Sequence, residues 1–381
     1  MESLRNGPDN STDTSAPPGA ERNFAVAIPK GAPRAGLTLS LVIPVHNGGE
    51  PFARCLNAVA ALEPGPDEVI VVADGCTDGS AGAALERGCS VVTLARRMGP
   101  AAARNEGARA AGGGILFFVD SDVALPRDAV RQVLAAFAGE PQVAALFGSY
   151  DDEPAAEGFL SQYKNLMHHY VHQTSSEDAW TFWGACGAIR RDVFFSVGGF
   201  DESFTKPSIE DIELGYRLRA VGSRIRLVKS LQVKHLKRWT LVSLVATDFL
   251  RRALPWSRLI LERGLPANDL NLKVGARVSV VLVYALVACL VLAAWRPWLL
   301  AIAAAWALLL LGANGGVYGF FLRKRGMVFT AGAICWHWFY YLYGGAAFAA
   351  AAVLHCFKAG LRRSRRLVRK KPVAKTDCGT T

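Results

Sequence analysis

The stretch GGGILFFVDSDVALPRDAV, residues 112–130, decides the fold of this sequence. An uninterrupted apolar run, 115–119, ends in DSD (120–122), and Pro126 then begins a helical pattern. An apolar run without polar alternation predicts a strand that is buried on both faces. Two carboxylates at the end of such a strand repel each other unless a positive group lies beside them. A divalent cation would relieve that repulsion, whereas capping of the following helix is the simpler interpretation.

The strand that precedes DSD is one of four in a repeating strand–helix pattern. The apolar runs are LSLVIPV, DEVIVVA, SVVTLA and ILFFVD, and each is followed by a helical stretch. This pattern predicts an α/β fold with a mostly parallel, Rossmann-like sheet covered by helices. Ligands of such sheets bind at the carboxyl ends of the strands. Three of these ends are polar, namely PVHNGG (44–49), DGCTDGS (74–80) and DSD, and together they predict a site.

Composition separates a globular part of the chain from an apolar part. The 381 residues are 51% hydrophobic and carry a formal net charge of +11. Residues 1–36 are rich in Ser, Thr, Pro and Gly, so we expect a disordered leader there and not a signal peptide. The eight cysteines form no CxxC pair, which is typical of reduced thiols in the cytoplasm. We expect one globular domain, which carries the strand-end site, within residues 37–239.

Beyond residue 239 the sequence predicts helices at or within a membrane. Residues 240–265 predict an amphipathic interface helix, with Arg252 on its polar face and Trp256 on its apolar face; a surface helix of the globular domain is the alternative. Residues 278–295 and 297–322 lack charge over the ~20 residues that a span needs. The third apolar segment, 326–357, is predicted to be re-entrant, interfacial or a further span.

Basic residues set the predicted orientation of the membrane region, 274–357. Lys and Arg cluster before the first span, after the second span and in the tail, 358–381. The positive-inside tendency places all three clusters in the cytoplasm, where they would contact anionic membrane lipids. Two crossings satisfy this arrangement, whereas three would leave the tail outside. We therefore expect a multi-pass protein of the cytoplasmic (inner) membrane whose catalytic domain faces the cytoplasm.

Six ordered motifs resemble the family 2 glycosyltransferases of the GT-A fold. They are PVHN, DGCTDGS, GPAAARNEG, VDSD, WGACGAIRRDVF with GGFDE, and EDIELGYRL, and they cover about residues 39–240. The resemblance implies transfer, with inversion, from a nucleoside-diphosphate sugar (a UDP-, GDP- or dTDP-sugar), usually with Mg²⁺ or Mn²⁺. Because membrane helices follow, we expect a lipid-linked or membrane-bound acceptor, as in the synthesis of cell-envelope polysaccharides or glycolipids.

The resemblance also implies roles for individual residues. Asp211, with Glu210 beside it, would be the general base, although acids in a first helical turn also favour the helix dipole. The nucleotide sugar would be contacted by Pro44, Val45, Asn47, Asp74, Arg104 and Asp120, with Arg104 near the phosphates. The acceptor side would be formed by Trp183, Gly184, Arg238 and Trp239. The metal would be held by Asp122, Asp120 and His235, the last of which is equally well explained as a structural histidine.

Departures from the family pattern narrow the expected reaction. Two adjacent acids are common where this chain has Ala73-Asp74, so one acceptor is missing at the nucleoside end. His235 stands where processive synthases carry a glutamine before an Arg-Trp pair, which favours transfer of a single sugar over polymerisation. A polyprenyl-phosphate acceptor is already ionised and has little need of a base, so Asp211 favours a hydroxyl acceptor.

Other classes of protein fit the sequence less well. A dinucleotide-dependent oxidoreductase would carry GxGxxG after the first strand, and PVHNGGE does not supply it. A nucleic-acid-binding protein would interleave basic and aromatic residues in the soluble part, so no nucleic acid is expected as a partner. A membrane scaffold without activity remains the alternative, and binding of a nucleotide sugar would distinguish it.

Overall fold

The computed structural model describes residues 24–25, 36–263 and 273–369. Most of the predicted leader, 1–36, and the end of the basic tail, 370–381, lie outside the described residues. Within these ranges, ten strands form one sheet. They are β1 Phe24–Ala25, β2 Leu39–Val45, β3 Glu68–Asp74, β4 Ser90–Leu94, β5 Ile115–Val119, β6 Val123–Ala124, β7 Val143–Tyr150, β8 Asp178–Ala179, β9 Cys186–Arg190 and β10 Arg224–His235.

Helices alternate with these strands and then form the C-terminal part. In the globular domain, 37–239, they are α1 Gly49–Ala60, α2 Ser80–Glu86, α3 Pro100–Ala110, α4 Ala129–Gly139, α5 Phe159–Gln173, α6 Arg191–Ser196 and α7 Glu210–Ala220. The C-terminal part contains α8 Leu241–Ala246, a π-helical segment Thr247–Ala253, α9 Leu254–Arg263, α10 Val274–Leu292, α11 Leu299–Ala313 and α12 Gly315–Arg369.

The sheet is parallel in its first half and mixed in its second half. The strand order is β1-β4-β3-β2-β5-β9-β7-β10-β6, with β8 paired to β10. Strands β2 to β5 pair in parallel, as the four strand–helix repeats predict. β9 lies antiparallel between β5 and β7, so the parallel arrangement does not extend across the whole sheet. The predicted α/β class is confirmed, and the sheet as a whole is mixed.

Both faces of the central strands are buried, which explains their unbroken apolar sequences. Phe117 packs into a core on one face of the sheet and Phe118 into a core on the other, and neither is exposed to solvent. The first core is covered by α1 and α4, and the second by α3 and α7. Since successive side chains of a strand point to opposite faces, burial of both faces removes the usual polar alternation.

The carboxyl ends of β2, β3 and β5 lie side by side, as the sequence predicts. Val45 is in register with Ala73, and Asp74 is in register with Leu94. The turn after β3 depends on Gly75, whose φ is 59° and whose Cβ position would lie 2.4 Å from the backbone nitrogen of Arg97. Only glycine fits this close approach between the β3 and β4 turns.

The predicted interface helix, 240–265, consists of α8, the π-helical segment and α9 up to Arg263. Its apolar Leu241, Val242 and Leu250 are exposed, whereas Asp248 is buried. Trp256, expected on the apolar face toward the membrane, donates a hydrogen bond to the Tyr216 hydroxyl of α7 at 2.9 Å. This tryptophan therefore contacts α7 of the globular domain, and the interface helix itself stays a prediction.

Two helices in the described ranges are long and apolar enough to cross a membrane, Val274–Leu292 and Gly315–Lys358. Only 17% and 22% of their most apolar windows are buried, unlike the core helix of a soluble protein. The predicted second span, 297–322, is not one helix, because it breaks at Asn314. Its first part, α11, has 15 residues and is only about 22 Å long, short of the ~30 Å hydrocarbon layer. The third apolar segment belongs to α12, which is broken at Gly326 (φ 78°).

Candidate active site

A cavity of about 270 Å³ lies at the carboxyl edge of the sheet. The ends of β2, β3 and β5 contribute to its wall, together with the loop before β9, the start of α7 and the end of β10. Most of the predicted site residues line it: Pro44, Val45, Asp74, Arg104, Asp120, Asp122, Trp183, Glu210, Asp211, His235 and Trp239. We call it the catalytic cavity. Asn47, Gly184 and Arg238 are the predicted residues that do not line it.

Arg104 is the centre of a buried charge cluster. Its Nη2 donates to Asp120 Oδ1 at 2.6 Å, and its Nη1 donates to Glu210 Oε1 at 3.0 Å. Burial opposes the charged guanidinium, but the two carboxylates outweigh burial and raise the pKa of Arg104. Through these two contacts Arg104 joins α3 to the end of β5 and the start of α7. Its expected place near the donor phosphates stays a prediction.

Asp211 and Glu210 are neighbours in the chain but have different surroundings. Glu210 is buried, and its Oε2 accepts the Ser208 N–H at 2.8 Å while its Oε1 is held by Arg104. Asp211 is half-buried, and its Oδ2 accepts the Gly184 N–H at 3.1 Å. Burial and then the charge of Glu210 raise the pKa of Asp211 to about 6. Asp211 can therefore exchange a proton with a bound molecule, whereas Glu210 is held by Arg104 and the Ser208 N–H; the expected catalytic roles of both stay predictions.

Asp122 and His235 form a pair of potential metal ligands. His235 Nε2 lies 3.8 Å from Asp122 Oδ2, because β6 and β10 pair with His235 opposite Val123. Burial, and then the nearby Lys237, lower the pKa of His235 to about 3, so the imidazole is neutral and can coordinate a cation. The Tyr150 ring stacks on this imidazole at a centroid distance of 4.3 Å.

This pair alone does not enclose a cation. No group of three or more His, Cys, Asp or Glu side chains with metal-binding geometry occurs within the described ranges. Asp120, the third expected ligand, is held by Arg104 instead. The chemistry of the remaining pair, one carboxylate and one neutral imidazole, fits a divalent ion that takes its other ligands from a bound substrate.

Asp74 and Asn47 support the strand-end turns. The Asp74 carboxylate accepts the Met98 N–H at 2.5 Å and the Gly99 N–H at 2.8 Å, so it fixes the turn before α3. Asn47 is exposed and exchanges hydrogen bonds with Thr77, which ties the first turn to the second. Asp74 lines the catalytic cavity while it holds this turn, whereas Asn47 acts outside the cavity.

The expected acceptor side contains an aromatic wall. Trp183 packs on Tyr150 with the ring planes at 87° and a centroid distance of 4.8 Å. The indole Nε1 of Trp239 is buried and has no hydrogen-bond partner among the described residues, which leaves a donor at the cavity wall. Gly184 contributes its N–H to Asp211, and a Cβ at this position would lie 3.2 Å from Arg104 Cζ. Arg238 is exposed and belongs to neither wall.

Sequence reasoning missed several residues of the catalytic cavity. His46 lines it and contacts the Asp74 carbonyl through Nδ1 at 2.7 Å. Lys237, whose ammonium lies 4.3 Å from the centre of the Trp239 ring, and Arg251 and Arg252 of the π-helical segment add positive charge. His46 could have been found from its place in PVHN, and Lys237 from its place in the run HLKRW. The two arginines carry no signal beyond helical periodicity.

The domain is similar to proteins of known family. Residues 40–197 match the family model described as Glycosyl transferase family 2. A validoxylamine A glucosyltransferase of Streptomyces hygroscopicus subsp. limoneus is 31% identical over 241 residues, which cover 51% of this chain and 51% of that protein. A pre-mycofactocin glycosyltransferase of Mycobacterium tuberculosis is 30% identical over 212 residues, covering 52% of this chain and 42% of that protein. The chain thus spans about half the length of the curated relatives it matches.

A solved structure has a similar fold over most of the chain. It is a mannosyltransferase from Pyrobaculum calidifontis in complex with GDP-Man and Mn²⁺, with a TM-score of 0.53 and 17% sequence identity. The similarity covers 83% of this chain and 88% of that one. The fold of the domain is similar to the GT-A fold of that glycosyltransferase. More specifically, residues 40–197 match the family 2 glycosyltransferase model, and apolar C-terminal helices follow them.

Proposed function

We propose that the protein is an inverting glycosyltransferase that transfers a sugar from a nucleoside-diphosphate sugar to a hydroxyl group of a membrane-bound or lipid-linked acceptor. The observation that carries the proposal is the position of Asp211. Its carboxylate lines the catalytic cavity, is oriented by the Gly184 N–H and has a pKa raised to about 6. A general base is most effective when its pKa lies near the pH at which the enzyme works.

The proposed reaction is a single displacement at the anomeric carbon of the donor sugar. The acceptor hydroxyl gives its proton to Asp211, and its oxygen forms a bond to the anomeric carbon. The bond from that carbon to the diphosphate breaks on the opposite face, and the nucleoside diphosphate leaves with the electron pair. Because attack and departure take place on opposite faces, the configuration inverts. A positioned carboxylate contributes roughly 10²–10⁴-fold to such a reaction.

A divalent cation, Mg²⁺ or Mn²⁺, fits the Asp122–His235 pair in this proposal. When bound, it supplies positive charge to the leaving diphosphate. Lys237 and Arg251, which line the same cavity, add positive charge from the protein itself. The structurally similar mannosyltransferase was solved with Mn²⁺, and its presence there is in keeping with the donor set found here.

Membrane attachment favours an acceptor that is itself in the membrane. The exposed surfaces of α10 and α12 are apolar over lengths that suit a bilayer. Such surfaces in water would be unfavourable, so a lipid environment explains them. The protein would then be multi-pass in the cytoplasmic membrane with its catalytic domain in the cytoplasm, where nucleotide sugars are made.

The test is a screen of radiolabelled UDP-, GDP- and dTDP-sugars against membranes that contain the full chain, with Mn²⁺ or with a chelator. We expect one donor to be transferred or slowly hydrolysed. Asp211→Asn should lower transfer about 10²–10⁴-fold with little change in donor affinity. Asp192→Asn is the matched control, because Asp192 is an exposed acid in the first turn of another helix, α6.

Two results would count against this function. If no nucleotide sugar binds with or without Mn²⁺, the chain is not a glycosyltransferase and the scaffold alternative is favoured. If Asp211→Asn retains full transfer, no base is needed, and an acceptor that is already ionised, such as a polyprenyl phosphate, is favoured over a hydroxyl.

A further inference from the structure

A second cavity, of about 230 Å³, lies between the catalytic domain and the apolar helices. One side is formed by α5 and the π-helical segment. The other side is formed by Gly275 and Ala276 in the first turn of α10, Ala313 at the end of α11 and Val317 of α12. This cavity is therefore located where the apolar helices begin. We call it the junction cavity.

The junction cavity carries an excess of positive charge. Lys164, Arg252 and Lys273 line it, and Asp248 is the one carboxylate among its described lining residues. Lys164 Nζ donates to both oxygens of Asp248, at 2.7 and 2.9 Å, so these two charges compensate each other. Burial lowers the pKa of His168, which lines the same cavity, so this imidazole is neutral and adds no charge. Lys273 Nζ donates to the Thr174 carbonyl at 3.0 Å, and the guanidinium of Arg252 favours an anionic ligand.

Arg252 connects the two cavities, since its side chain lines both of them. Within the described ranges, no hydrogen bond or salt bridge engages its guanidinium. The carboxylate of Asp248 is close enough to raise the pKa of Arg252 against the effect of burial, but its oxygens are taken by Lys164 and by the Tyr343 hydroxyl. A charged guanidinium without a carboxylate partner has the fork geometry that binds phosphate.

His168, which lines this cavity, carries a buried polar atom without a partner among the described residues. Its Nδ1 atom is buried and has no hydrogen-bond partner in the described part of the chain. Buried polar atoms of native proteins are nearly always paired with protein, water or ligand. The His168 ring also packs on Trp183 of the catalytic cavity at a centroid distance of 4.8 Å. A group bound in the junction cavity would thus be close to the acceptor wall.

We infer that the junction cavity binds the phosphate group of the acceptor lipid, while a hydroxyl of the same molecule reaches Asp211 in the catalytic cavity past Arg252. The inference rests on the proposed function and names its acceptor class, a lipid that carries a phosphate. A lipid phosphate is favoured over free phosphate because α10 continues from the cavity with exposed Val274, Val278 and Val281. The hydrocarbon chain would lie along this apolar surface.

The experiment measures binding of dodecyl phosphate to the full chain in neutral-detergent micelles, with dodecanol and inorganic phosphate as comparisons. We expect dodecyl phosphate to bind and to inhibit transfer, and the two comparison compounds to bind at least tenfold more weakly. Arg252→Gln should lower the affinity for dodecyl phosphate about tenfold, since a charge-assisted pair of hydrogen bonds is lost. Arg323→Gln is the matched control, because it removes the same charge from an exposed position of α12 outside both cavities.

The outcomes separate this inference from the proposed function. Equal affinity of Arg252→Gln and the unaltered chain for dodecyl phosphate would overturn the inference, as would equal binding of inorganic phosphate. Either result leaves the proposed function intact if the same preparation hydrolyses a nucleotide sugar. Conversely, binding of dodecyl phosphate that depends on Arg252, without any donor binding, would support the phosphate site and refute the glycosyltransferase. Arg252→Lys keeps the charge but loses the fork, so an intermediate affinity supports the inference even if the glutamine variant fails to fold.

Discussion

Replacing Arg104 by glutamine would test whether the buried charge cluster holds the catalytic cavity together. The substitution removes the cation from between two carboxylates. The Glu210 side chain is only 5% exposed, whereas that of Asp120 is 33% exposed, so the unpaired charge of Glu210 dominates the cost. Breaking a buried ion pair by removing one partner costs about 3–5 kcal/mol, because the other charge stays buried without compensation. We expect a loss of this size in the free energy of unfolding.

The same helix offers a matched control in Arg109. Its guanidinium also binds two carboxylates, Glu106 at 2.8 Å and Glu202 at 3.0 Å, but its side chain is 45% exposed. Exposed ion pairs contribute roughly 0–1 kcal/mol, so Arg109→Gln should have a small effect. Both variants lose one arginine from α3, and they differ mainly in burial.

The two variants would be compared by unfolding the full chain with guanidinium chloride in neutral detergent and monitoring tryptophan fluorescence. Adding Glu210→Gln to Arg104→Gln should recover part of the lost stability, because it removes the uncompensated carboxylate. The reasoning is refuted if Arg104→Gln lowers the free energy of unfolding by no more than Arg109→Gln does. It is also refuted if the double variant is less stable than Arg104→Gln alone by as much as Glu210→Gln destabilises the unaltered chain.

Three more predictions concern the catalytic cavity. The kcat/KM for transfer should fall as the pH decreases through about 6, because Asp211 accepts a proton only when it is deprotonated; a pH–rate profile would show this limb, and Asp211→Asn should lack it. His235→Ala should raise the Mn²⁺ concentration needed for half-maximal activity by at least about tenfold, as measured by metal titration of the apo protein, since one of two protein ligands is lost. Gly184→Ala should lower kcat, because the added Cβ would lie 3.2 Å from Arg104 Cζ and would shift the backbone that orients Asp211. The first expectation is contradicted by a rate that is independent of pH down to about 4. The second is contradicted by an unchanged Mn²⁺ requirement of His235→Ala, and the third by full activity of Gly184→Ala.

The positions of the strand-end residues could be predicted from the sequence, because a parallel sheet brings successive carboxyl ends to one edge. Pro44, Asp74 and Asp120 line one cavity for this reason. The place of Asp211 in this cavity was also predictable, since its motif, EDIELGYRL, resembles a motif of the family 2 glycosyltransferases and opens a helix. These predictions depend on the order of secondary-structure elements, which hydrophobic patterns reveal well.

The pairing of side chains could not be predicted in the same way. Arg104 and Glu210 are 106 positions apart, and nothing in either local sequence indicates that they meet. Their contact favours a structural role for Glu210, so the division of roles within the Glu210-Asp211 pair depends on tertiary structure. The break at Asn314 is a different case. The sequence GANGG carries a turn signal there, and apolar composition alone obscured it.

Strand β9 runs antiparallel to both of its neighbours, β5 and β7, and in the proposed reaction this reversal would separate the donor from the acceptor. Its first residue, Cys186, is opposite Val119, so the chain enters β9 at the edge where β5 finishes. In the proposed reaction, the segments that leave β2, β3 and β5 would surround the donor sugar, and the segment that enters β9, with Trp183, would face the acceptor. Under the proposed function, mutations in the segment before β9 would change the choice of acceptor while the nucleotide is still recognised.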